Sequence, residues 1–331
     1  MIIGSSGRWF PINFVFTPTT VSVEWMDFGS MEICDPFFYQ TIQRLRRLEP
    51  PAGEETTSLS TLLGIAEGLP AVQPAGVIFH VSRCGSTLLA NVLRINPRTV
   101  ALSEARPVGL FFRPHILRRS PFPEEGWDET RRMLLDAVLR IYGARAGYDS
   151  SLIIKCHAVN LLQMAWIRSV WPEVPFVILI RDPLEVMVSN FALPAGWMRW
   201  SRSPATARLV FGWNEREIGD MSIEEYSARG LGRFFDSIRE ALDQKCKLVD
   251  YSDLSAVMFD RIAEFIGLKV LPSDSATFTE VASVYSKDPT RSRSFERDVN
   301  RKRAEATDFA RLCANRWARG PYELLRTRST E

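Results

Sequence analysis

Residues 10–28, FPINFVFTPTTVSVEWMDF, alternate apolar and polar positions and are rich in Val, Phe and Thr. A strand turns successive side chains to opposite faces, so this stretch predicts two short strands joined near Pro18. Beyond Asp35-Pro36 the apolar spacing lengthens. FFYQTIQRLRRL predicts a helix with Asp35 as N-cap and Pro36 at its first position, ended by Pro50-Pro51. A second, short helix is expected over 60–67, with Pro70 and Pro74 closing it. Residues 1–72 therefore read as a small β/α preface.

A different pattern follows. GVIFHV at 76–81 is a continuous apolar run, as in a strand covered on both faces. The polar turn Ser82-Arg83-Cys84-Gly85-Ser86 leads directly into the helix-like TLLANVLRI. Further short apolar runs lie at 99–102, 152–154, 175–180 and 247–249, separated by helical stretches at 128–142, 161–170 and 254–266. Strands alternating with helices predict an α/β domain over 73–331 with a central, mostly parallel sheet flanked by helices. A basic segment, 287–303, lies near the end.

Composition narrows the chemistry. The 331 residues are 46% hydrophobic and 24% charged, which excludes disorder and a fibre. Forty-one bases against 39 acids give a net charge of +2, so no global field draws the chain to nucleic acid or anionic lipid. Anion binding must come from local patches. Cys34, Cys84, Cys156, Cys246 and Cys313 are scattered and form no C-x-x-C pair, which speaks against a disulfide framework or a zinc site. Pro11 and Asn13 interrupt the early apolar stretch, and no export signal is read. No window reaches the roughly 18 uninterrupted apolar residues of a membrane helix. A cytoplasmic setting is the expectation, with no membrane partner and no nucleic acid.

Ligands of an open parallel sheet bind beyond the carboxyl ends of its strands. At the first such end, Gly85-Ser86-Thr87 would present backbone N–H groups at the positive end of a helix, and Arg83 adds a full charge. Against the nucleotide-triphosphatase signature G-x-x-x-x-G-K-[ST], His80 replaces the first glycine and Ser86 the lysine, which argues against ordinary ATP hydrolysis. At another strand end Arg181-Asp182-Pro183 opens a helix that carries Ser189. A guanidinium and a hydroxyl converging there could hold a second phosphate; an Arg–Asp surface pair is the plainer alternative.

Together these pieces resemble the sulfotransferases that use 3′-phosphoadenosine 5′-phosphosulfate, which implies a P-loop nucleotide-binding fold. HVSRCGSTLLANVL is similar to the family's 5′-phosphosulfate loop, P-[KR]-S-G-T-T, with Arg83 at the basic position and Cys84 and Ser86 as departures. ILIRDPLEVMVSNF is similar to the 3′-phosphate segment, R-[ND]-P-x-D-V-x-V-S, with Glu185 where Asp is frequent. LVDYSDL resembles the downstream Y-E-[DE]-L segment. WMDFG, DPFF, SRCGSTLL and KRAEAT resemble, more narrowly, a bacterial sulfotransferase-like group. The preface has no counterpart in the well-studied members.

The resemblance implies a role for each site residue. Ser82, Arg83, Cys84, Gly85, Ser86 and Thr87 would hold the 5′ end of the donor, with Arg83 also taking up charge on the leaving phosphate. Arg181 and Ser189 would hold the 3′-phosphate, and Tyr251 would contact the adenosine. No metal is required. Among Arg291, Arg293, Arg297, Arg301, Lys302 and Arg303, one or two side chains would close over the donor. Two groups compete for the acceptor proton: Glu104, spaced from Arg83 as in tyrosylprotein sulfotransferases and slightly preferred, and His157, which with Lys155 matches the K-T-H segment of cytosolic sulfotransferases. Arginines near Glu104 would weaken it as a base, whereas an imidazole suits neutral pH. The tryptophan-rich stretch 192–213 reads either as an acceptor wall or as loop packing. The expected activity is sulfuryl transfer to a hydroxyl or amine of a small metabolite. A P-loop small-molecule kinase and a non-catalytic nucleotide-binding module are the alternatives; neither acceptor identity nor oligomeric state is legible.

Overall fold

The computed structural model describes residues 8–147, 150–268, 281 and 299–329. Two sheets organise the chain. An antiparallel sheet of order β1-β2-β3 comprises β1 (Trp9–Phe16), β2 (Val21–Asp27) and β3 (Glu54–Ser58). Helix α1 (Phe38–Arg46) lies between β2 and β3, and α2 (Leu59–Glu67) follows β3. The central sheet holds β4 (Gly76–His80), β5 (Thr99–Ser103), β6 (Ser151–Lys155), β7 (Phe176–Ile180) and β8 (Cys246–Asp250), in the order β5-β6-β4-β7-β8. Every pairing in it is parallel, so all five carboxyl ends lie on one side. This is an α/β fold with a parallel sheet flanked by helices.

The burial pattern explains the order. GVIFH and FVILI are buried at every position, as strands covered on both faces must be. CKLVD is half-buried over its first three residues and lies at an edge. Successive connections leave β4 in opposite directions, towards β5 and β6 on one side and β7 and β8 on the other. A ligand crevice belongs at that reversal. Helix α3 (Ser86–Leu93) follows β4, α4 (Arg106–Gly109) follows β5, and α5 (Trp127–Ala146) leads towards β6. Helix α6 (Met164–Val170) precedes β7 and α7 (Pro183–Ala192) follows it.

The N-terminal sheet shares one apolar core with the central one. The Phe14 ring meets Phe111, just beyond α4, edge-on at 4.9 Å, and Tyr142 Oη of α5 donates to the Pro11 carbonyl at 2.8 Å. Fully buried Trp25 donates its indole N–H to Thr57 Oγ1.

Two details differ from the sequence expectation, and a third decides between its two readings of Trp197. Asp35 does not cap α1 and Pro36 is not its first residue; Phe37 is the capping residue, and Asp35 Oδ2 instead accepts from Thr41 Oγ1 and from Arg44. A carboxylate facing a guanidinium and a hydroxyl gains more from them than from a helix end alone. Strand β3, EETTS, went unread because it is polar throughout and mostly exposed, so it has no alternation to detect. A polar edge of this kind blunts pairing with other chains. Trp197 is buried among Phe211, Tyr226 and Phe234, which makes it a packing residue of the 192–213 segment.

Candidate active site

Backbone strain marks the site. Among the described residues the non-glycine positions with positive φ are Ser82 (80°), Arg83 (53°) and Glu104 (53°), and all three follow carboxyl ends of central strands. Such conformations cost of order 1–3 kcal/mol each and cluster where function over-determines them.

The loop after β4 turns tightly, and Gly85, with φ 84°, caps α3. Ser82, Ser86 and Thr87 are buried, and Cys84 Sγ donates to the Leu179 carbonyl at 3.3 Å, so its side chain faces the sheet. His80, in the place of the usual first glycine, is a structural strut. Its Nδ1 accepts from the Ser82 N–H at 3.1 Å and its Nε2 donates to the Cys156 carbonyl at 2.9 Å, which fixes a neutral tautomer. The imidazole thereby ties the loop to the end of β6.

The two expected anchors meet at this loop. Arg83 Nε donates to Ser189 Oγ at 2.8 Å, and Arg181 Nη1 donates to the Arg83 carbonyl at 2.9 Å. Arg181 is 4% exposed; its guanidinium lies 3.9 Å from the Tyr251 ring centre and its Nε donates to Glu185 Oε2 at 2.9 Å. It is therefore not half of an Arg–Asp surface pair. Asp182 caps α7 and pairs with Arg319 at 2.7 Å. A cavity of about 170 Å³ opens here, lined by Arg181, Arg303 and Arg326, by Asp182, Glu185 and Asp250, and by Tyr251, Ser252 and Tyr322. Of the basic tail, Arg303 reaches this cavity and pairs with Glu185 at 3.0 Å, whereas Arg301 pairs with its neighbour Glu305 and Lys302 is buried. Arg291, Arg293 and Arg297 lie outside the described residues.

On the other side of β4 lies a cluster of ionisable side chains. Glu104 follows β5; its Oε1 receives Lys155 Nζ and stands 3.5 Å from His80 Nε2, and its Oε2 is 2.9 Å from His157 Nδ1. Burial acts to raise the Glu104 carboxyl, but the charges of Lys155 and His157 and the hydrogen bonds from His157 and His80 outweigh it and hold it well below the usual carboxylate range. An ionised carboxylate only accepts, so His157 carries its proton on Nδ1, which leaves Nε2 as the basic nitrogen of the neutral ring. A β-carbon built on Gly109 would lie 3.4 Å from His157 Cδ2 and 3.9 Å from Nε2, so that edge of the ring lies close against the glycine. Glu104, Val108, Gly109, Phe112, His157 and Asn160 line a narrow crevice there.

Sequence reasoning missed several of these groups. Glu185, in sequence only a departure from a motif, bridges Arg181 and Arg303. Tyr322 Oη, which donates to Asp250 Oδ2 at 2.8 Å, had no motif to announce it. His80 could have been found, since a titratable side chain at the end of a fully apolar strand needs polar partners. Among the described residues no cluster of metal-ligating side chains occurs, and no helix is long and apolar enough to cross a membrane.

No family model matches the sequence, and no curated relative matches it. Among solved structures the chain is similar to the sulfotransferase domain from the curacin biosynthetic pathway, at 12% identity and a TM-score of 0.43, covering 75% of this chain and 98% of that one. It is similar to the sulfotransferase domain of the Synechococcus PCC 7002 olefin synthase, at 14% identity and 0.42, covering 76% and 96%. A sulfotransferase from Mycobacterium avium is similar at 11% identity and 0.42, covering 73% and 76%.

Proposed function

We propose that the chain transfers a sulfuryl group from 3′-phosphoadenosine 5′-phosphosulfate to a hydroxyl or amine of a small molecule. The observation that carries this reading is the pair of contacts joining Arg83 to Ser189 and Arg181 to the Arg83 carbonyl. They bring a 5′-anchor and a 3′-anchor to one rim of the sheet, as a donor charged at both ends requires. The donor groups fit such a molecule in kind: a helix N-terminus and Arg83 for one end, Arg181, Ser189 and Arg303 for the other, and Tyr251 as a flat neighbour. Without a loop lysine, ATP chemistry has less support than sulfuryl transfer.

The donor supplies an activated sulfuryl group and a phosphate leaving group; this chain's residues orient them and move the proton. Ser82, Gly85, Ser86 and Thr87, with the backbone at Cys84, cradle the 5′ end. Arg83 takes up charge developing on the bridging oxygen. His157 Nε2 removes the acceptor proton as the acceptor oxygen or nitrogen bonds to sulfur and the sulfur–oxygen bond to the phosphate breaks. Adenosine 3′,5′-bisphosphate leaves. Glu104 orients the imidazole and stabilises its cationic form, and Lys155 keeps Glu104 ionised. A carboxylate held that far below its usual range is a poor base, so this assignment places His157 ahead of Glu104 for proton removal. In this reading the loops that face the crevice set the identity of the small acceptor.

Calorimetric titration with adenosine 3′,5′-bisphosphate, ADP and ATP tests the donor. The expected result is bisphosphate affinity at least about tenfold above ADP, the factor that one charge-assisted contact of about 1.5 kcal/mol supplies. Equal affinities for the bisphosphate and ADP would remove the basis of the proposal.

A further inference from the structure

One imidazole joins the loop after β4 to the Glu104–His157 pair. His80, buried at the end of β4, has both ring nitrogens engaged. Its Nδ1 accepts from the Ser82 N–H, and its Nε2 donates to the Cys156 carbonyl. The Cys156 N–H in turn donates to the Ile78 carbonyl at 2.9 Å, so both backbone groups of that residue are bonded to β4. His157 is the next residue in the chain. The same Nε2 stands 3.5 Å from Glu104 Oε1 and helps to hold that carboxyl low, while Glu104 Oε2 meets His157 Nδ1.

The Nδ1 side governs the loop. Ser82 stands where the motif P-[KR]-S-G-T-T has proline, yet its φ is 80°, a value that the proline ring forbids. Proline also has no N–H to give. Serine therefore frees the chain to follow another path, and the bond to His80 holds it there against the cost of two successive residues at positive φ, Ser82 and Arg83. Ser82 Oγ adds a second tie, donating to Asn190 Oδ1 of α7 at 3.4 Å. The path so fixed decides where Arg83 lies: its Nε meets Ser189 Oγ and its carbonyl meets Arg181 Nη1.

We infer, with the donor assignment above as premise, that His80 is a positioning residue that holds the donor loop and the Glu104–His157 pair in one register. Nδ1 sets the loop, and Nε2 sets the pair. The role needs the neutral ring with its hydrogen on Nε2, because a hydrogen on Nδ1 would face the Ser82 N–H.

Two substitutions separate the two sides. His80→Asn puts an amide oxygen near the place of Nδ1 and nothing at Nε2, whereas His80→Gln carries an N–H to the place of Nε2 and leaves Ser82 without an acceptor. The full chain, made with isotopically labelled histidine, is titrated with adenosine 3′,5′-bisphosphate by calorimetry, and its ring nitrogens are followed by NMR. Only three histidines contribute signals, so each ring can be assigned from the variants. Wild-type His80 is expected as the Nε2–H tautomer with and without the bisphosphate. His80→Gln should bind the bisphosphate at least about tenfold more weakly and leave the His157 ring signals in place. His80→Asn should bind it within about threefold of the wild type and displace the His157 signals. Loss of packing alone would move both readouts together in both variants.

Wild-type His80 protonated on Nδ1, equal bisphosphate affinities for the two variants, or unmoved His157 signals in His80→Asn would each overturn the inference and leave the donor assignment standing. A wild type that does not bind the bisphosphate refutes the donor assignment, and this inference with it. The wild-type tautomer needs no variant, so the test stays decisive should either substitution fold poorly.

Discussion

His157 Nδ1 and Glu104 Oε2 are 2.9 Å apart, so the two residues that sequence alone sets in competition are joined by one hydrogen bond. Held on Nδ1, the imidazole has a single basic nitrogen, and it lies close against Gly109.

The first prediction concerns this pair. In single-turnover sulfuryl transfer, His157→Ala should slow the chemical step by about 10²–10⁴-fold, the usual contribution of a general base. Glu104→Gln keeps a hydrogen-bond acceptor for Nδ1 but not the charge, and a loss of about tenfold or somewhat more is expected. Thermal melts run alongside separate catalysis from folding, since Glu104→Gln leaves buried Lys155 without its counter-charge. A larger loss for Glu104→Gln than for His157→Ala would make the carboxylate the base.

Arg181→Ala should weaken adenosine 3′,5′-bisphosphate by about 2–5 kcal/mol, because the guanidinium is desolvated. The same substitution should change ADP affinity much less. The ratio of the two is the useful readout, since loss of the Arg181–Glu185 pair harms the fold for both ligands alike. A change in the bisphosphate of less than about half a kcal/mol, which is within ordinary surface effects, would contradict the 3′-phosphate assignment.

His115 titrates away from the candidate site. Burial, with the charges of Arg113 and Arg118, pushes His115 down to about 4. The unfolded chain therefore binds this proton first, and stability falls as pH drops from about 6.5 to about 4, with no further loss from this group below that. After discount for partial exposure, the loss across that window should be about 1–2 kcal/mol. Urea unfolding of the wild type and His115→Gln at several pH values between these limits checks it. Parallel pH profiles for the two proteins would sink the prediction.

Much of this architecture could be read from residue order. The apolar runs GVIFH and FVILI announce buried parallel strands because no polar side chain interrupts them. Arg83, Arg181, Glu104 and His157 were legible because each directly follows a strand, or its turn, and parallel strands put those ends together. Strand β3 was hidden because EETTS carries no apolar face. The bridge from Glu185 to Arg303 spans 118 residues, a separation that no local pattern reports. The preface was legible as β and helix but silent about its contacts, since only tertiary packing turns Phe38 inward and leaves Phe37 against Lys155.

Gly85 brings the loop after β4 against Leu254 and Tyr251. A β-carbon there would lie 2.4 Å from Leu254 Cδ1 and 3.3 Å from Tyr251 Cδ2, and the backbone sits at φ 84°. Gly85→Ala therefore meets two separate penalties: about 1–2 kcal/mol for the left-handed backbone, and a steric one that pushes on Leu254 and Tyr251. Displacing Tyr251 also disturbs the ring on which Arg181 stacks at 3.9 Å. The variant should melt lower and bind adenosine 3′,5′-bisphosphate at least about tenfold more weakly, a loss of roughly 1.4 kcal/mol. Adding Leu254→Ala makes room for the methyl group but leaves φ unchanged, so part of the affinity should return and the backbone share of the stability loss should not. Measuring both substitutions singly and together gives the coupling directly. A Gly85→Ala protein that binds the bisphosphate as the wild type does would mean that the loop's approach to Tyr251 has no part in holding the donor.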